Sequence, residues 1–316
     1  MRRVLVLYFS QTGQLRDIVH WTVAALERGP EFDVDVVELK PSRPYPFPWP
    51  FFRFFNTFPE CIYEDTEVIE PPDLDAEKPY DLIIMAYTVW FLQPALPILG
   101  FLKSQKAKRV FAGKPVITLI GCRNMWLMAQ ERMKELLQGL NARLIDNIVL
   151  TDTSHSAFTF FSTPMWMLFG KRGPFFNGWI PRAGISQADI DGCERFGLAI
   201  ARQLPNRQPG DTGPMMNGLG AVHVREGLIE SEKTIKRSFR LWGALLRSLG
   251  KPDALARQLV ILLYFLFLFL VIITVVPILA VIKMILKPLA KASIAKQREY
   301  FAAPSGESSQ LLERGA

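Results

Sequence analysis

Short apolar runs alternate with segments of helical periodicity over the first 203 residues. Five runs predict strands at Val4–Phe9, Asp33–Leu39, Asp81–Ala86, Pro115–Gly121 and Arg143–Leu150. Apolar residues at helical spacing predict helices at Gln14–Glu27, Pro97–Ser104, Trp126–Leu140 and Gln187–Gln203. Strands that alternate with helices are typical of a parallel sheet with helices on both faces. The pattern therefore predicts an α/β domain over residues 1–203, built on a doubly wound, five-stranded parallel sheet.

Two aromatic insertions interrupt this domain, at residues 40–80 and 151–181. In the first, prolines alternate with rings from Pro44 to Pro50. This spacing argues against a long helix or a central strand, so we expect an irregular loop. Leaving the many rings of both insertions in water is unfavourable. We expect them either to form an apolar lid packed on the domain or to line a lipophilic channel that opens at a membrane.

The C-terminal third divides into four segments. Residues 204–229 are rich in Pro, Gly and polar residues and predict a linker. Residues 230–258 are basic and amphipathic, which predicts a helix on an anionic membrane surface or, alternatively, one packed on the domain. Residues 259–282 carry no charge. As a helix they would span roughly 36 Å, enough for a bilayer core of about 30 Å. Residues 283–316 form a basic flank and a polar tail, which we expect to be disordered from Ala303 onward.

The positive charge of the chain is concentrated around this apolar segment. From Ser231 onward there are 13 Lys and Arg against 5 Asp and Glu, whereas the preceding residues carry 24 against 25. The net charge of +7 therefore indicates anionic lipid rather than nucleic acid as the partner. Basic residues lie on both sides of the apolar segment and favour the cytoplasmic face. We therefore expect an anchor bent at Pro277 with both ends cytoplasmic, with a single straight crossing as the alternative.

The few cysteines and histidines argue against metal chemistry. Cys61, Cys122 and Cys193 form no Cys-x-x-Cys pair, and there are three histidines in the chain. This usage fits a reducing compartment and gives no expected metal site. The N-terminus enters a predicted strand at Val4, so we expect no signal peptide there.

The loop after the first predicted strand has the composition of a phosphate site. Ser10, Gln11, Thr12 and Gly13 form the turn, and Gln14 opens the following helix. Backbone N–H groups and the positive end of a helix favour an anion at such a position. The loop lacks both the lysine of a triphosphate site and the Gly-x-Gly-x-x-Gly pattern of dinucleotide sites. It suits a terminal phosphate monoester bound by neutral donors.

This segment resembles the Ser/Thr-x-Thr-Gly-x-Thr phosphate loop of the flavodoxin-like proteins, which holds the phosphate of FMN. Ser10, Thr12 and Gly13 match the pattern, whereas Leu15 stands where the last hydroxyl is expected. The resemblance implies a flavodoxin-like fold with FMN as cofactor. The alternative is an ordinary strand–helix turn in a domain without a nucleotide.

Two further loops are expected beside the first, because ligands bind at the carboxyl ends of the strands in such sheets. The resemblance implies that the second loop places a ring against the flavin and backbone amides at its edge. Trp90 is the candidate ring, with Tyr87 second. Arg123 suits negative charge on a reduced flavin but equally suits an exposed surface position. The candidates in these two loops are Tyr87, Thr88, Val89, Trp90, Phe91, Gly121, Cys122, Arg123 and Asn124.

A flavin would make the protein a redox protein, and three roles are open. An electron carrier has no need of two insertions beside its site, whereas a quinone-type reductase using NAD(P)H, or a dehydrogenase acting on a ring, would use them. A dehydrogenase also needs a general base, for which His155 is the candidate. The alternative for His155 is a structural loop residue.

A closer resemblance favours the last role. The segments VLVLYFSQTGQL and YTVWFLQPALP, and VVPIL in the apolar region, are similar to those of bacterial proteins named dialkylresorcinol condensing enzymes. The resemblance implies an inner-membrane protein with its domain in the cytoplasm. It also implies a ketosynthase-type pathway enzyme as partner and aromatisation of a dialkyl cyclohexanedione to a dialkylresorcinol. The alternatives are the quinone-type reductase and a membrane-tethered flavodoxin.

Overall fold

The computed structural model describes residues 1–208 and 210–313. Its strands are β1 (Arg2–Tyr8), β2 (Phe32–Glu38), β3 (Leu82–Tyr87), β4 (Val89–Trp90), β5 (Gln93–Pro94), β6 (Pro115–Cys122) and β7 (Arg143–Thr151). The five predicted strands are confirmed, with ends that differ by two residues at most. β4 and β5 form a separate antiparallel pair.

The large sheet has the order β2-β1-β3-β6-β7, and all its neighbours are parallel. Numbered within the large sheet alone, this is the order 2-1-3-4-5, which is that of the flavodoxin-like fold. All six residues of β3 are buried, as expected for a strand covered on both faces. The predicted fold class is therefore confirmed. The strand order reverses between β1 and β3, so their carboxyl ends flank the crevice where ligands bind in such folds.

The α-helices flank this sheet and continue beyond it. They are α1 (Gln14–Glu27), α2 (Phe51–Tyr63), α3 (Leu96–Leu102), α4 (Gln105–Phe111), α5 (Leu127–Gly139), α6 (Ser156–Phe169), α7 (Gln187–Asp191), α8 (Glu194–Gln203), α9 (Glu226–Ser248), α10 (Leu255–Ala302) and α11 (Gln310–Glu313). The helix expected over Gln187–Gln203 is two helices, since Gly192 and Cys193 form a turn between them. Gly197 brings α8 against α1, because a Cβ there would lie 2.1 Å from the Thr22 carbonyl oxygen.

The first insertion contains a helix, so the expectation of an irregular loop was wrong. The alternation of prolines and rings ends at Pro50, which is the N-cap of α2, and a proline before the first turn removes no helical hydrogen bond. Pro59 lies inside the helix and removes one helical hydrogen bond without ending it. Phe55, Phe58 and Ile62 then recur at helical spacing and are buried. The proline-rich stretch therefore leads into the helix instead of preventing it.

The apolar face of α9 packs on protein, which is the alternative stated for the basic amphipathic segment. Phe239 contacts Phe58 of α2 at a ring separation of 4.9 Å. Leu246 is fully buried, and Gly243 lies against Tyr63. Part of this face is therefore covered by protein, whereas Leu245 of the same face is 44% exposed, and its contact with a membrane stays a prediction.

Helix α10 contains 48 residues, and its contacts require it to bend. Trp242 of α9 contacts Phe267, and Lys233 of α9 donates a hydrogen bond to Gln297. Phe267 and Gln297 would lie about 45 Å apart along a straight helix, whereas Trp242 and Lys233 are about 14 Å apart. Two side-chain contacts cannot bridge that difference. The interval contains Pro277 and Pro288, and prolines are a common cause of such kinks. Within α10, Leu255–Leu279 is apolar and long enough to cross a membrane by length and composition.

The chain returns to the sheet after α10, so the expectation of a disordered tail was wrong for residues 303–313. Ser305 is fully buried, and its hydroxyl donates to Asp146 of β7 at 2.7 Å. The same carboxylate accepts the N–H groups of Met215 and Met216 at 2.7 and 3.2 Å. Part of the predicted linker is thus packed on the sheet edge. Residue 209 of that linker and residues 314–316 of the tail lie outside the described residues.

Candidate functional site

A cavity of about 310 Å³ lies at the carboxyl ends of the central strands. This volume is at the lower end of the range for ligand pockets, about 300–1,000 Å³. The three predicted loops meet there. All the candidate cofactor-binding residues line the cavity except Gly13, Tyr87 and Asn124. The sequence-based grouping of the loops is therefore seen in the fold.

The first loop presents unpaired backbone donors at the start of α1. Within the described residues, no protein acceptor contacts the N–H groups of residues 11–15. Gly13 is the N-cap of α1 with φ of 84°, a conformation that glycine adopts without strain. The Ser10 hydroxyl accepts the Arg16 N–H at 3.3 Å. Free donors at a helix N-terminus form an anion site.

Gln14 fastens this loop to a distant segment. Its Oε1 accepts the Ile185 N–H at 3.1 Å, and its Nε2 donates to the Ile185 carbonyl at 2.9 Å. The adjacent Gly184 also lines the cavity. The chain after the second insertion is thus held against the first loop.

Leu15, which departs from the hydroxyl pattern, is buried between the first and third loops. Its Cδ1 lies 3.1 Å from the position that a Cβ on Gly121 would occupy, and its side chain is 5% exposed. The missing hydroxyl is therefore replaced by an apolar contact between two loops of the site.

The second loop turns back on itself through the β4–β5 pair. Trp90 of this loop lines the cavity and packs nearly perpendicular to Phe9, Tyr45 and Trp49, at ring separations of 5.6, 4.9 and 5.5 Å. Its position is consistent with a wall of the site, and its stacking role stays a prediction.

Tyr87 is not available as a stacking ring. It is fully buried, and its hydroxyl donates to Gln130 Oε1 at 2.5 Å. Burial raises the pKa of this phenol. The second candidate for the stacking role was therefore wrong, because the last side chain of β3 points into the core.

The third loop contributes Gly121, Cys122 and Arg123 to the cavity. The Arg123 guanidinium donates to the Thr159 hydroxyl through Nε and Nη2, at 3.1 and 3.0 Å. It also lies 5.0 Å from the centre of the Phe160 ring. Burial lowers the pKa of Arg123. The arginine thus lies between the cavity and α6, and is not the exposed surface residue of the alternative.

The insertions supply the remaining wall. Their lining residues include Trp49, Phe54, Thr57, Asp152, Thr163, Trp166 and Met167. Trp49, Phe54 and Trp166 thus place insertion rings in the cavity wall, whereas a channel that opens at a membrane stays a prediction. Asp152 was missed, although it directly follows a strand end. Its carboxylate accepts the N–H groups of Ser154 and Gly184, both at 2.9 Å, so it shapes the loop.

Two buried polar atoms on lining residues have no partner in the described structure. They are Trp49 Nε1, a donor, and Gln11 Oε1, an acceptor. Buried polar groups are normally paired. Gln11 and Trp49 therefore each carry a polar atom beside the cavity that lacks a partner among the described residues.

His155 lies outside the cavity lining. It is exposed and serves as the N-cap of α6, where its Nδ1 accepts the Ala157 N–H at 3.3 Å. Its geometry is that of a capping residue, and its role as a general base stays a prediction. No cluster of metal ligands was found among the described residues.

Neither the protein-family models nor the curated proteins match this chain. Similar solved structures include a flavoprotein from Lactobacillus acidophilus in complex with FMN, at 18% identity and TM-score 0.38, covering 46% of this chain and 92% of that one. A flavodoxin from the domain Archaea has 12% identity and TM-score 0.37, covering 64% and 99%. A Fusobacterium nucleatum flavodoxin bound to flavin mononucleotide has 12% identity and TM-score 0.33, covering 66% and 100%. The function of the protein is therefore inferred from the geometry of the site.

Proposed function

We propose that this protein is a membrane-anchored, FMN-dependent oxidoreductase that acts on a lipophilic ring. The observation that carries the proposal is a shared cavity. The anion-binding first loop and the aromatic rings of both insertions line one space at the point where the strand order reverses. A nucleotide phosphate suits the first loop, and a flat ring system suits the aromatic rings of the insertions.

The residues of the cavity fit FMN. The N–H groups of residues 11–15 and the hydroxyls of Ser10 and Thr12 would hold the phosphate. Trp49 Nε1 and Gln11 Oε1 would find polar partners on the cofactor. The Arg123 guanidinium lies in the lining, where it would favour negative charge on the cofactor. When bound, FMN would accept or donate a hydride.

The apolar walls favour a lipophilic substrate. We propose a dialkyl cyclohexanedione, which would lose a hydride to FMN and a proton to a base and so become a dialkylresorcinol. The sequence resemblance supports this substrate, and it supports a ketosynthase-type enzyme as its source. The rings of Trp49, Phe54 and Trp166 would exclude water around the ring.

The anchor favours a location at the cytoplasmic face of a bacterial inner membrane. Both ends of α10 contact the sheet domain, through Arg257–Glu60 at its start and Tyr300–Glu131 at its end. Both ends therefore lie on one side of any bilayer that the apolar stretch enters. The basic residues that flank this stretch favour the cytoplasmic side.

A quinone-type reductase using NAD(P)H is the second candidate, because a quinone ring suits the same aromatic walls. A tethered electron carrier is less favoured. Helix α6 lines the cavity with Thr163, Trp166 and Met167, and so covers an edge that a carrier would expose to its redox partners.

The first test is an absorption spectrum of the detergent-purified protein, with mass spectrometry of what heat releases. We expect the two visible flavin bands and the mass of FMN. A colourless protein that also fails to bind added FMN would overturn the proposal. For the yellow protein, anaerobic bleaching by a cyclic diketone would identify the aromatising activity. Bleaching by NAD(P)H, followed by reoxidation with a quinone, would identify the reductase instead.

A further inference from the structure

The outer face of α6 and the turn after it form an exposed aromatic surface. Phe160 is 46% exposed and Trp179 is 83% exposed. We use the name aromatic face for the six exposed rings Phe158, Phe160, Phe161, Phe169, Phe176 and Trp179. Two of these rings contact each other, since Phe161 packs on Phe176, and Phe161 also packs on the neighbouring Phe175.

The polarity of α6 is inverted relative to a helix that faces water. Its hydroxyl residues Thr159 and Ser162 are each 1% exposed, while its phenylalanines point outward. A helix on the surface of a soluble domain buries its apolar side and exposes its polar side. The inverted pattern, and contiguous exposed rings in general, mark a surface that another apolar phase covers.

The aromatic face adjoins the apolar part of α10. The backbone N–H of Trp49 donates to the Met167 carbonyl of α6 at 2.7 Å. Two residues after Trp49, the Phe51 ring contacts Phe265 of α10 at 5.4 Å. The end of α6, the start of α2 and the first turns of α10 therefore lie side by side. A bilayer entered by Leu255–Leu279 would lie next to α6.

The charge of this region suits anionic lipid. The interval between Asp152 and Asp189 contains no Asp or Glu, but it contains the cations Lys171, Arg172 and Arg182. Lys171 and Arg182 are exposed. Exposed cations beside exposed rings suit the boundary between anionic headgroups and acyl chains. At 14 residues, α6 is about 21 Å long and too short to cross a bilayer core of about 30 Å.

We propose that the aromatic face binds an anionic phospholipid bilayer, with α6 lying in its interfacial layer. Thr163, Trp166 and Met167 of the same helix line the cavity, on the side away from Phe158, Phe161 and Phe169. This surface therefore places the wall of the cavity against the lipid, and substrate enters from the bilayer. The entry route rests on the proposed function, whereas the lipid contact does not.

The test uses spin labels on the full chain in vesicles of phosphatidylcholine and phosphatidylglycerol. The labelled variants are Phe160→Cys and Trp179→Cys, with Leu198→Cys on α8 as the matched control at 40% exposure. Unsubstituted protein gives the labelling background of the native cysteines. We expect collisions with oxygen to exceed those with a water-soluble nickel complex at positions 160 and 179, and the reverse at 198.

Water-like accessibility at positions 160 and 179 would overturn the proposal. Protection from both probes would also overturn it, because protein, such as a second copy of this chain, would then cover the face. Should the cysteine variants fail to fold, quenching of native tryptophan fluorescence by brominated lipid replaces the labels. Trp179→Phe should then reduce the quenched fraction, and an unchanged fraction would count against the lipid contact. None of these measurements needs a flavin, so a lipid-bound but colourless protein would sustain this inference while refuting the redox function.

Discussion

Glu232 of α9 accepts a hydrogen bond from the backbone N–H of Met128 in the first turn of α5, at 2.9 Å. The N–H groups of Trp126 and Leu127 also face this carboxylate. A side chain from outside the sheet domain therefore caps the helix that follows the third loop of the site. Glu232 is fully buried, and burial outweighs the three donors and raises its pKa to about 7.

Glu232 makes the stability of the protein depend on pH. Because the folded pKa lies above the ordinary value of 4.5, the folded state binds the extra proton between about pH 4.5 and pH 7. The free energy of unfolding should fall by about 3 kcal/mol as pH rises through that window, and level off above it. Glu232→Gln should remove the fall and be more stable than the native chain at pH 8.

Thermal unfolding in one detergent, from pH 4.5 to pH 8, measures this effect. Glu230→Gln is the control, since Glu230 lies on the same helix with 59% of its side chain exposed, and it should keep the native pH dependence. If the stability of Glu232→Gln depended on pH as that of the native chain does, the Glu232 carboxyl would not titrate between about pH 4.5 and pH 7.

Arg257 holds the start of α10 to α2. Its Nη2 donates to both oxygens of Glu60, at 2.7 and 3.0 Å, and its side chain is 2% exposed. Arg257→Met leaves the Glu60 charge without its partner, and should reduce the free energy of unfolding by about 3 kcal/mol. Arg247→Met breaks a half-exposed ion pair with Asp65. It should reduce the free energy of unfolding by at most about 1 kcal/mol.

Chemical unfolding of both variants in the same micelles makes the comparison. The double variant Arg257→Met/Glu60→Gln should recover part of the loss, because the unpaired charge is gone. Equal stabilities of Arg257→Met and Arg247→Met would contradict a buried clasp between α2 and α10.

Thr12 should contribute to FMN affinity. Thr12→Val keeps the shape of the side chain and removes a donor to the phosphate. A hydrogen bond to a charged group contributes about 1.5–3 kcal/mol, which corresponds to a loss of about 10- to 150-fold in affinity. Titration of the apoprotein, followed by quenching of flavin fluorescence, measures it. Thr153→Val changes an exposed threonine outside the cavity and should bind as the native chain does.

Gly184 keeps the second insertion close to the phosphate loop. A Cβ there would lie 2.7 Å from the Trp166 ring and 2.8 Å from Gln14 Oε1. Gly184→Ala should therefore displace the wall of the cavity and speed the release of FMN. Gly178→Ala is the matched control, because its φ of 93° is nearly the same as the 92° of Gly184, but nothing lies within 4 Å of its Cβ.

Stopped-flow release of FMN separates the two effects. Both variants carry the strain of a left-handed residue, about 1–2 kcal/mol, but only Gly184→Ala is crowded. Equal release rates in the two variants would mean that strain alone matters.

The sheet and its three loops could be predicted because a parallel strand buried on both faces leaves a continuous apolar run. The helix after Pro50 could not, because the prolines dominate the local pattern and the buried rings that stabilise α2 lie beyond them. The pairing of Gln14 with Ile185 joins residues 171 positions apart. Glu232 looks like any other charged residue on an amphipathic helix. In each case the contact that determines the structure is made with residues distant in the sequence.

If α10 anchors the protein as proposed, a domain fastened to both ends of that helix keeps one orientation toward the bilayer. Its encounters with a dissolved lipid are then confined to two dimensions, and the effective concentration is the number of substrate molecules per unit of membrane area. Adding inert phospholipid at a fixed total amount of substrate would dilute the reaction, although the volume of the solution is unchanged. Under the proposed function, the bend of α10 would make surface density, rather than molarity, the natural unit for this protein's kinetics.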